Sequence, residues 1–79
     1  METKERIINL LAEKLGYEKA EINENQDLIN DLGIDSLDMV EIIMGVEEEF
    51  GLKIDDKEVD GIKTVEDLIK KADELSKNK

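Results

Sequence analysis

The chain contains no histidine, no cysteine and no tryptophan, and its only aromatic residues are Tyr17 and Phe50. Without histidine the commonest general base is missing. Without cysteine or histidine, a serine or thiol nucleophile of the familiar kind has no activating partner. Any thiol chemistry would have to be performed by something attached to the protein, so the chain is not expected to be an enzyme by itself. The lack of cysteine also excludes a disulfide and a cysteine-ligated metal, and nothing points to secretion. A further absence is local. From Ala20 to Leu52 there is no Lys or Arg, while Glu21, Glu24, Asp27, Asp31, Asp35, Asp38, Glu41, Glu47, Glu48 and Glu49 all fall there. That segment carries −10, and the rest of the chain, with 12 acids and 11 bases, carries −1. Almost the whole net charge of −11 therefore sits in one stretch.

What is present is enough for one small domain covering residues 1–79. The 23 Ile, Leu and Val residues make a modest core, so stability of several kcal/mol at most is expected. Crowding ten like charges into one region lowers it further at low salt. No apolar run approaches membrane-spanning length, and the start Met1-Glu2-Thr3-Lys4 is not an apolar signal segment. A cytoplasmic monomer is expected. A pI near 4.3 argues against nucleic acid and anionic membranes as partners and for basic protein surfaces.

Helical spacing dominates the pattern and strand alternation is weak. Thr3 is placed to cap a first helix with the apolar face Ile7, Ile8, Leu10, Leu11 and Leu15, stopped by Gly16. Residues 17–35 show no clear periodicity. Loops of that length are unusual in compact domains unless functional. Ile22, Leu28, Ile29, Leu32 and Ile34 are expected to pin this one to the core, and Lys19-Ala20-Glu21 to make one helical turn. A second helix is predicted from Ser36 to Phe50, closed by Gly51. A short helical piece follows around Asp56 to Asp60, ended by Gly61. Thr64 starts the last helix, with Asp67 as its capping-box partner. Val65, Leu68, Ile69, Ala72 and Leu75 form the apolar face of this helix, and Lys70, Lys71 and Lys77 complement its negative end. The predicted fold class is all-α: a small four-helix bundle of three main helices and one short one, with a long first loop.

The second helix carries two apolar stripes. At 100° per residue, Met39, Ile42, Ile43, Val46 and Phe50 share the core side, while Leu37, Val40 and Met44 lie nearly opposite, beside Glu41, Glu47 and Glu48. A small bundle cannot bury both. The second stripe either packs beneath the long loop or forms a docking ridge rimmed by carboxylates. Glu47, Glu48 and Glu49 favour docking, because acids in a last helical turn oppose the macrodipole, at about 0.3–1 kcal/mol each. Gly45, mid-helix, costs about 1 kcal/mol against Ala. It either lets a partner approach closely or has no such role.

Ser36 stands where this helix begins. Taken alone it reads as an N-cap, a role Asp35 could equally fill. It could also carry a phosphoryl ester against the free N–H groups and positive end of the helix. Asp35 and Asp38 would oppose that ester, so they need another task, such as contacting the modifying enzyme. The run Asp31-Leu32-Gly33-Ile34-Asp35-Ser36-Leu37-Asp38-Met39-Val40-Glu41, followed by Glu47-Glu48-Glu49-Phe50, resembles the acyl carrier proteins of bacterial type II fatty acid synthesis. The resemblance spans nearly the whole chain.

This resemblance implies that Ser36 carries a covalent 4′-phosphopantetheine, added from coenzyme A by a phosphopantetheinyl transferase. Acyl chains would ride on its sulfur as thioesters. It further implies that Asp35, Leu37, Asp38, Val40, Glu41, Met44, Glu47 and Glu48 dock against basic patches on fatty acid synthase enzymes. An acyl pocket would be drawn from Leu28, Ile42, Val46, Ile54, Val59, Ile62 and Leu68. Ile34, Val59 and Leu68 are larger than the residues the family often has at those places. Two other readings remain open at this stage: a carrier for polyketide or other specialised acyl groups, and an acidic calcium-binding protein. The second rests on Asp56, Glu58, Asp60, Gly61 and Asp67, which echo the order of an EF-hand loop imperfectly. A third is an interaction adaptor with Ser36 unmodified.

Overall fold

The computed structural model describes residues 2–77. Helix α1 runs Thr3–Leu15, a 3₁₀ turn covers Lys19–Glu21, α2 runs Ser36–Phe50, α3 Asp56–Asp60 and α4 Val65–Lys77. No strand forms among the described residues. The predicted all-α four-helix architecture with a long first loop is the one observed. Helix α1 packs against both α2 and α4, and α2 also touches α4. Among the described residues every buried side chain is apolar. Ile7 and Leu11 of α1, Ile42 and Val46 of α2, and Val65, Leu68 and Ala72 of α4 are at most 1 % exposed. Met39, placed on the core side by its spacing, is only half-buried.

The α1 start departs from expectation. Thr3 is the first helical residue and Glu2 takes the cap position without a side-chain hydrogen bond. The Thr3 hydroxyl instead donates to Asp73 Oδ1 at 3.2 Å, tying the start of α1 to the end of α4. At the far end of α2, Gly51 adopts φ 64°, a left-handed conformation open to glycine at little cost. The lysines of α4 act through side-chain pairs: Lys70 with Glu66 at 2.9 Å, Lys77 with Asp73 at 3.1 Å, and Lys71 with Glu58 of α3 at 3.7 Å.

The long loop is held in two ways. Ile22, Leu28, Leu32 and Ile34 are buried as expected, and the Tyr17 hydroxyl donates to the Leu32 carbonyl at 3.1 Å. The loop also pairs with the approach to α4. Leu28 N–H donates to the Lys63 carbonyl at 2.9 Å, Val65 N–H to Gln26 O at 3.1 Å, and Glu66 N–H to Glu24 O at 3.0 Å. Ile29 does not join the core: it is 61 % exposed. Asp27 Oδ1 accepts from the amides of both Ile29 and Asn30, which turns the chain so that Leu28 points inward and its neighbour outward.

Candidate functional site

Asp35, not Ser36, caps α2. Its extended backbone (φ −95°, ψ −177°) precedes the first helical residue, and its Oδ1 accepts from Asp38 N–H at 2.8 Å. Asp38 returns the contact, its Oδ2 accepting from Asp35 N–H at 3.4 Å. Two of the four orphan amides at the head of the helix are thereby satisfied, which leaves those of Ser36 and Leu37. The task sought for Asp35 and Asp38 is thus first an internal one. Ser36 falls on the first helical residue, exposed, with its hydroxyl free of any protein partner among the described residues. The approach to it is fixed. Asp31 Oδ2 accepts from Asp27 N–H at 2.7 Å, Gly33 takes φ 70°, and Ile34, 2 % exposed, donates its N–H to Leu28 O. The large residue before the Asp–Ser pair anchors the loop in the core two positions ahead of the serine.

Beside Ser36 a groove of about 660 Å³ opens between the loop, the first turns of α2 and the end of α3. Ile34, Met39, Val40, Val59 and Ile62 give it an apolar wall, with Ile29 at its edge. Of the seven candidate acyl-pocket residues, Val59 and Ile62 line this groove. Leu28, Ile42, Val46, Ile54 and Leu68 lie in the packed core, each at most 7 % exposed. Sequence reasoning missed Ile29, Ile34 and Met39 as groove residues. The adjacent pair Leu28-Ile29 is the signal that was available, since a turning loop buries one of two neighbours.

The outer stripe of α2 is open. Leu37 is 69 % exposed and Val40 and Met44 are 54 %, so the loop does not cover them. Asp35, Glu41 and Glu48 are also exposed, while Asp38 and Glu47 are half-exposed. The acids of the last turn do not act alike. Glu47 Oε2 accepts from Ile54 N–H at 2.8 Å and so fastens the segment that follows α2. Glu49 binds Arg6, which donates to its carboxylate at 3.0 Å and its carbonyl at 2.7 Å. The same guanidinium lies 4.1 Å from the Phe50 ring centroid. Two of the three last-turn acids, Glu47 of the docking set and Glu49 outside it, therefore have structural work, which offsets their conflict with the macrodipole. Glu41 and Glu48 have no ion pair among the described residues. Gly45 is buried, and a Cβ there would lie 3.2 Å from Leu10 Cδ1 and 3.3 Å from Lys14 Cε. It allows α1 to approach, and the alternative of an approaching partner is set aside.

At the start of α4, Asp67 Oδ2 accepts from the amides of Lys63 and Thr64, both at 3.1 Å, and Thr64 Oγ1 accepts from Asp67 N–H. The Lys63 amide is the main reason that the Asp67 carboxyl titrates below its ordinary value; burial opposes it, and the Thr64 contacts and the Lys70 charge assist. Glu58 is likewise occupied by the Asp55 amide and by Lys71. Two of the four carboxylates that echo a calcium loop, Glu58 and Asp67, are therefore spent on caps and pairs, and no metal-binding group of three His, Cys, Asp or Glu occurs among the described residues.

A free serine hydroxyl at a helix start, beside an apolar groove, fits a tethered group with an apolar cargo. The sequence model of the family described as "Phosphopantetheine attachment site" matches residues 5–71. The chain belongs to the acyl carrier protein family. It is 42 % identical over 64 residues to an acyl carrier protein of Thermotoga maritima, covering 81 % of this chain and 79 % of that one. It is 45 % identical over 73 residues to one of Zymomonas mobilis, covering 92 % and 94 %. A solved structure of a candidate acyl carrier protein from Mycobacterium tuberculosis superposes with a TM-score of 0.81 at 34 % identity, over 86 % of this chain and 90 % of that one. Carriers of this family hold acyl groups on phosphopantetheine, and this carrier's exposed Ser36 and adjoining groove suit that cofactor. No helix among the described residues is long and apolar enough to cross a membrane.

Proposed function

We propose that Ser36 is the residue that bears 4′-phosphopantetheine and that the protein serves fatty acid synthesis as a non-catalytic carrier. The single observation that carries this reading is the division of labour at the head of α2. Asp35 does the capping, so the Ser36 oxygen is left accessible and without a competing hydrogen bond. In the loading step the Ser36 Oγ forms a new ester bond to phosphorus. The bond to the nucleotide half of coenzyme A breaks, and the hydroxyl proton passes to a base on the transferase, since this chain has no histidine. Once bound, the group supplies the thiol that a cysteine-free chain lacks and to which acyl groups are joined as thioesters.

The groove offers Val59, Ile62, Ile34 and Met39 as shelter for an acyl chain. The core residues Leu28, Ile42, Val46, Ile54 and Leu68 stand behind it, available to a longer chain only if the packing opens. The exposed ridge Leu37, Val40 and Met44 supplies contact area for partner enzymes. Asp35, Asp38, Glu41, Glu47 and Glu48 supply the negative field that steers a basic patch onto it. Intact-mass analysis after incubation with coenzyme A and a phosphopantetheinyl transferase tests the core of this reading. One phosphopantetheine should be gained by the wild type and none by Ser36→Ala. A gain on the variant would place the attachment elsewhere.

A further inference from the structure

The groove beside Ser36 is unevenly charged. Asp27, Asp35 and Asp60 line it, and Lys63 is the one basic residue that does so. A phosphodiester on Ser36 adds another negative charge to this wall, at the end of a loop with no base of its own from residue 20 onward. Lys63 is held firmly at its backbone: its carbonyl accepts from Leu28 N–H at 2.9 Å and its amide donates to Asp67 Oδ2 at 3.1 Å. Only its side chain is left to move. Lys4, Arg6, Lys70, Lys71 and Lys77 are each committed to a carboxylate; Lys63, like Lys14, Lys19, Lys53 and Lys57, has no ion pair among the described residues, and of these it is the one that lines the groove. The nearby acids do not claim it. Asp27 and Asp35 direct their carboxylates at the backbone amides of Ile29, Asn30 and Asp38, and the third acid of the groove, Asp60, forms no ion pair with Lys63 among the described residues. An ammonium on a four-carbon stem is a suitable point-charge partner for a phosphate.

We infer that Lys63 is a positioning residue for the tethered arm: its ammonium pairs with the phosphodiester formed on Ser36 and keeps the first segment of the arm over the groove wall made by Val59 and Ile62. This rests on the assignment of Ser36 above. Because the pair is exposed, its strength falls with salt.

The test uses loaded wild type, Lys63→Gln, Lys63→Arg and, as control, Lys57→Gln, which alters an exposed lysine of α3 outside the groove. Intact mass comes first. A wild type that takes up no phosphopantetheine removes the Ser36 assignment and this inference with it. The phosphorus-31 resonance of the loaded proteins is then followed from about 10 mM to about 500 mM salt, a range over which exposed pairs are progressively screened. Wild type, Lys63→Arg and Lys57→Gln should share one salt response, and that of Lys63→Gln should be at least about threefold smaller. The side-chain resonances of Lys63, but not Lys57, should move between the unloaded and loaded wild type. Loaded proteins with equal salt responses in wild type and Lys63→Gln, or Lys63 resonances unmoved by loading, would overturn the Lys63 role while leaving Ser36 intact.

Discussion

Asp35 and Asp38 cap one another across the first turn of α2, and the serine between them takes no part. Stability and loading should therefore separate cleanly. Asp35→Ala should lose about 0.5–2 kcal/mol, the usual cost of a lost N-cap. Ser36→Ala should stay within about 0.5 kcal/mol of wild type, as surface changes away from caps and core do. Urea denaturation of the unloaded proteins measures both, and equal losses would mean that Ser36 shares the cap.

Glu47 and Glu48 are neighbours with opposite expected behaviour. Glu47→Ala strips the acceptor from the part-buried Ile54 amide and should cost about 1–3 kcal/mol. Glu48→Lys relieves a charge that opposes the helix dipole and should leave stability unchanged or raise it by up to about 1 kcal/mol. Glu41→Lys should also fold normally. Turnover of the loaded Glu41→Lys and Glu48→Lys proteins by partner enzymes should nevertheless be slower than wild type at low salt, with the gap narrowing as salt is added. Steady-state rates across a salt series provide the check, and salt-independent turnover would speak against an electrostatic docking face.

Gly45 provides a test of which surface it serves. In Gly45→Ala the gain in helix propensity of about 1 kcal/mol opposes a tight contact with the ends of Leu10 and Lys14, the latter on an exposed side chain free to move. Stability within about 1 kcal/mol of wild type is expected. Gly45→Val should lose about 1–3 kcal/mol by wedging α1 from α2. Partner turnover by Gly45→Ala should match wild type, because the added methyl faces α1. A selective loss of turnover would return the residue to the docking face.

The Asp67 carboxyl titrates below its ordinary value of about 3.9 because it accepts two backbone amides. A group with a depressed folded value contributes stability that is complete above the unfolded value and is lost as pH falls through the folded one. The stability difference between wild type and Asp67→Asn should therefore be steady from about pH 7 to pH 5 and shrink below about pH 4. Taking the difference cancels the other carboxylates, whose mutual repulsion also changes in acid. Thermal unfolding of both proteins across that range measures it, and a difference that grows in acid would contradict the capping role.

The helices were readable because their boundaries use short-range signals: Gly16, Gly51 and Gly61 at the ends, Thr64 and Asp67 at one start. The twofold apolar pattern of α2 set Leu37, Val40 and Met44 opposite the core side, and their exposure decides against cover by the loop. What the sequence concealed depends on contacts between distant residues. Thr3 has a cap residue's chemistry, but its hydroxyl finds Asp73, which no local pattern relates to it. Spacing kept Glu49 out of the docking set but could not name its partner, Arg6, one helix away. Spacing left open whether Gly45 lets a partner approach, and the crossing of α1 decides what lies over it. Ser36 as the distinctive residue was legible. That it is not the cap was not, since Asp and Ser are near-equal candidates and only the backbone settles which one precedes the helix.

The loop amides and carbonyls shared with α4 have a consequence for the length of the connection. Gln26 and Glu24 offer their carbonyls to the opening amides of Val65 and Glu66, so the loop serves as the lid on a helix about forty positions downstream. Ordinary surface connections tolerate being trimmed. Removing a residue or two between positions 23 and 28 would pull those carbonyls away and fray α4 from its beginning. The span ahead of the serine is thus a fixed measure of chain.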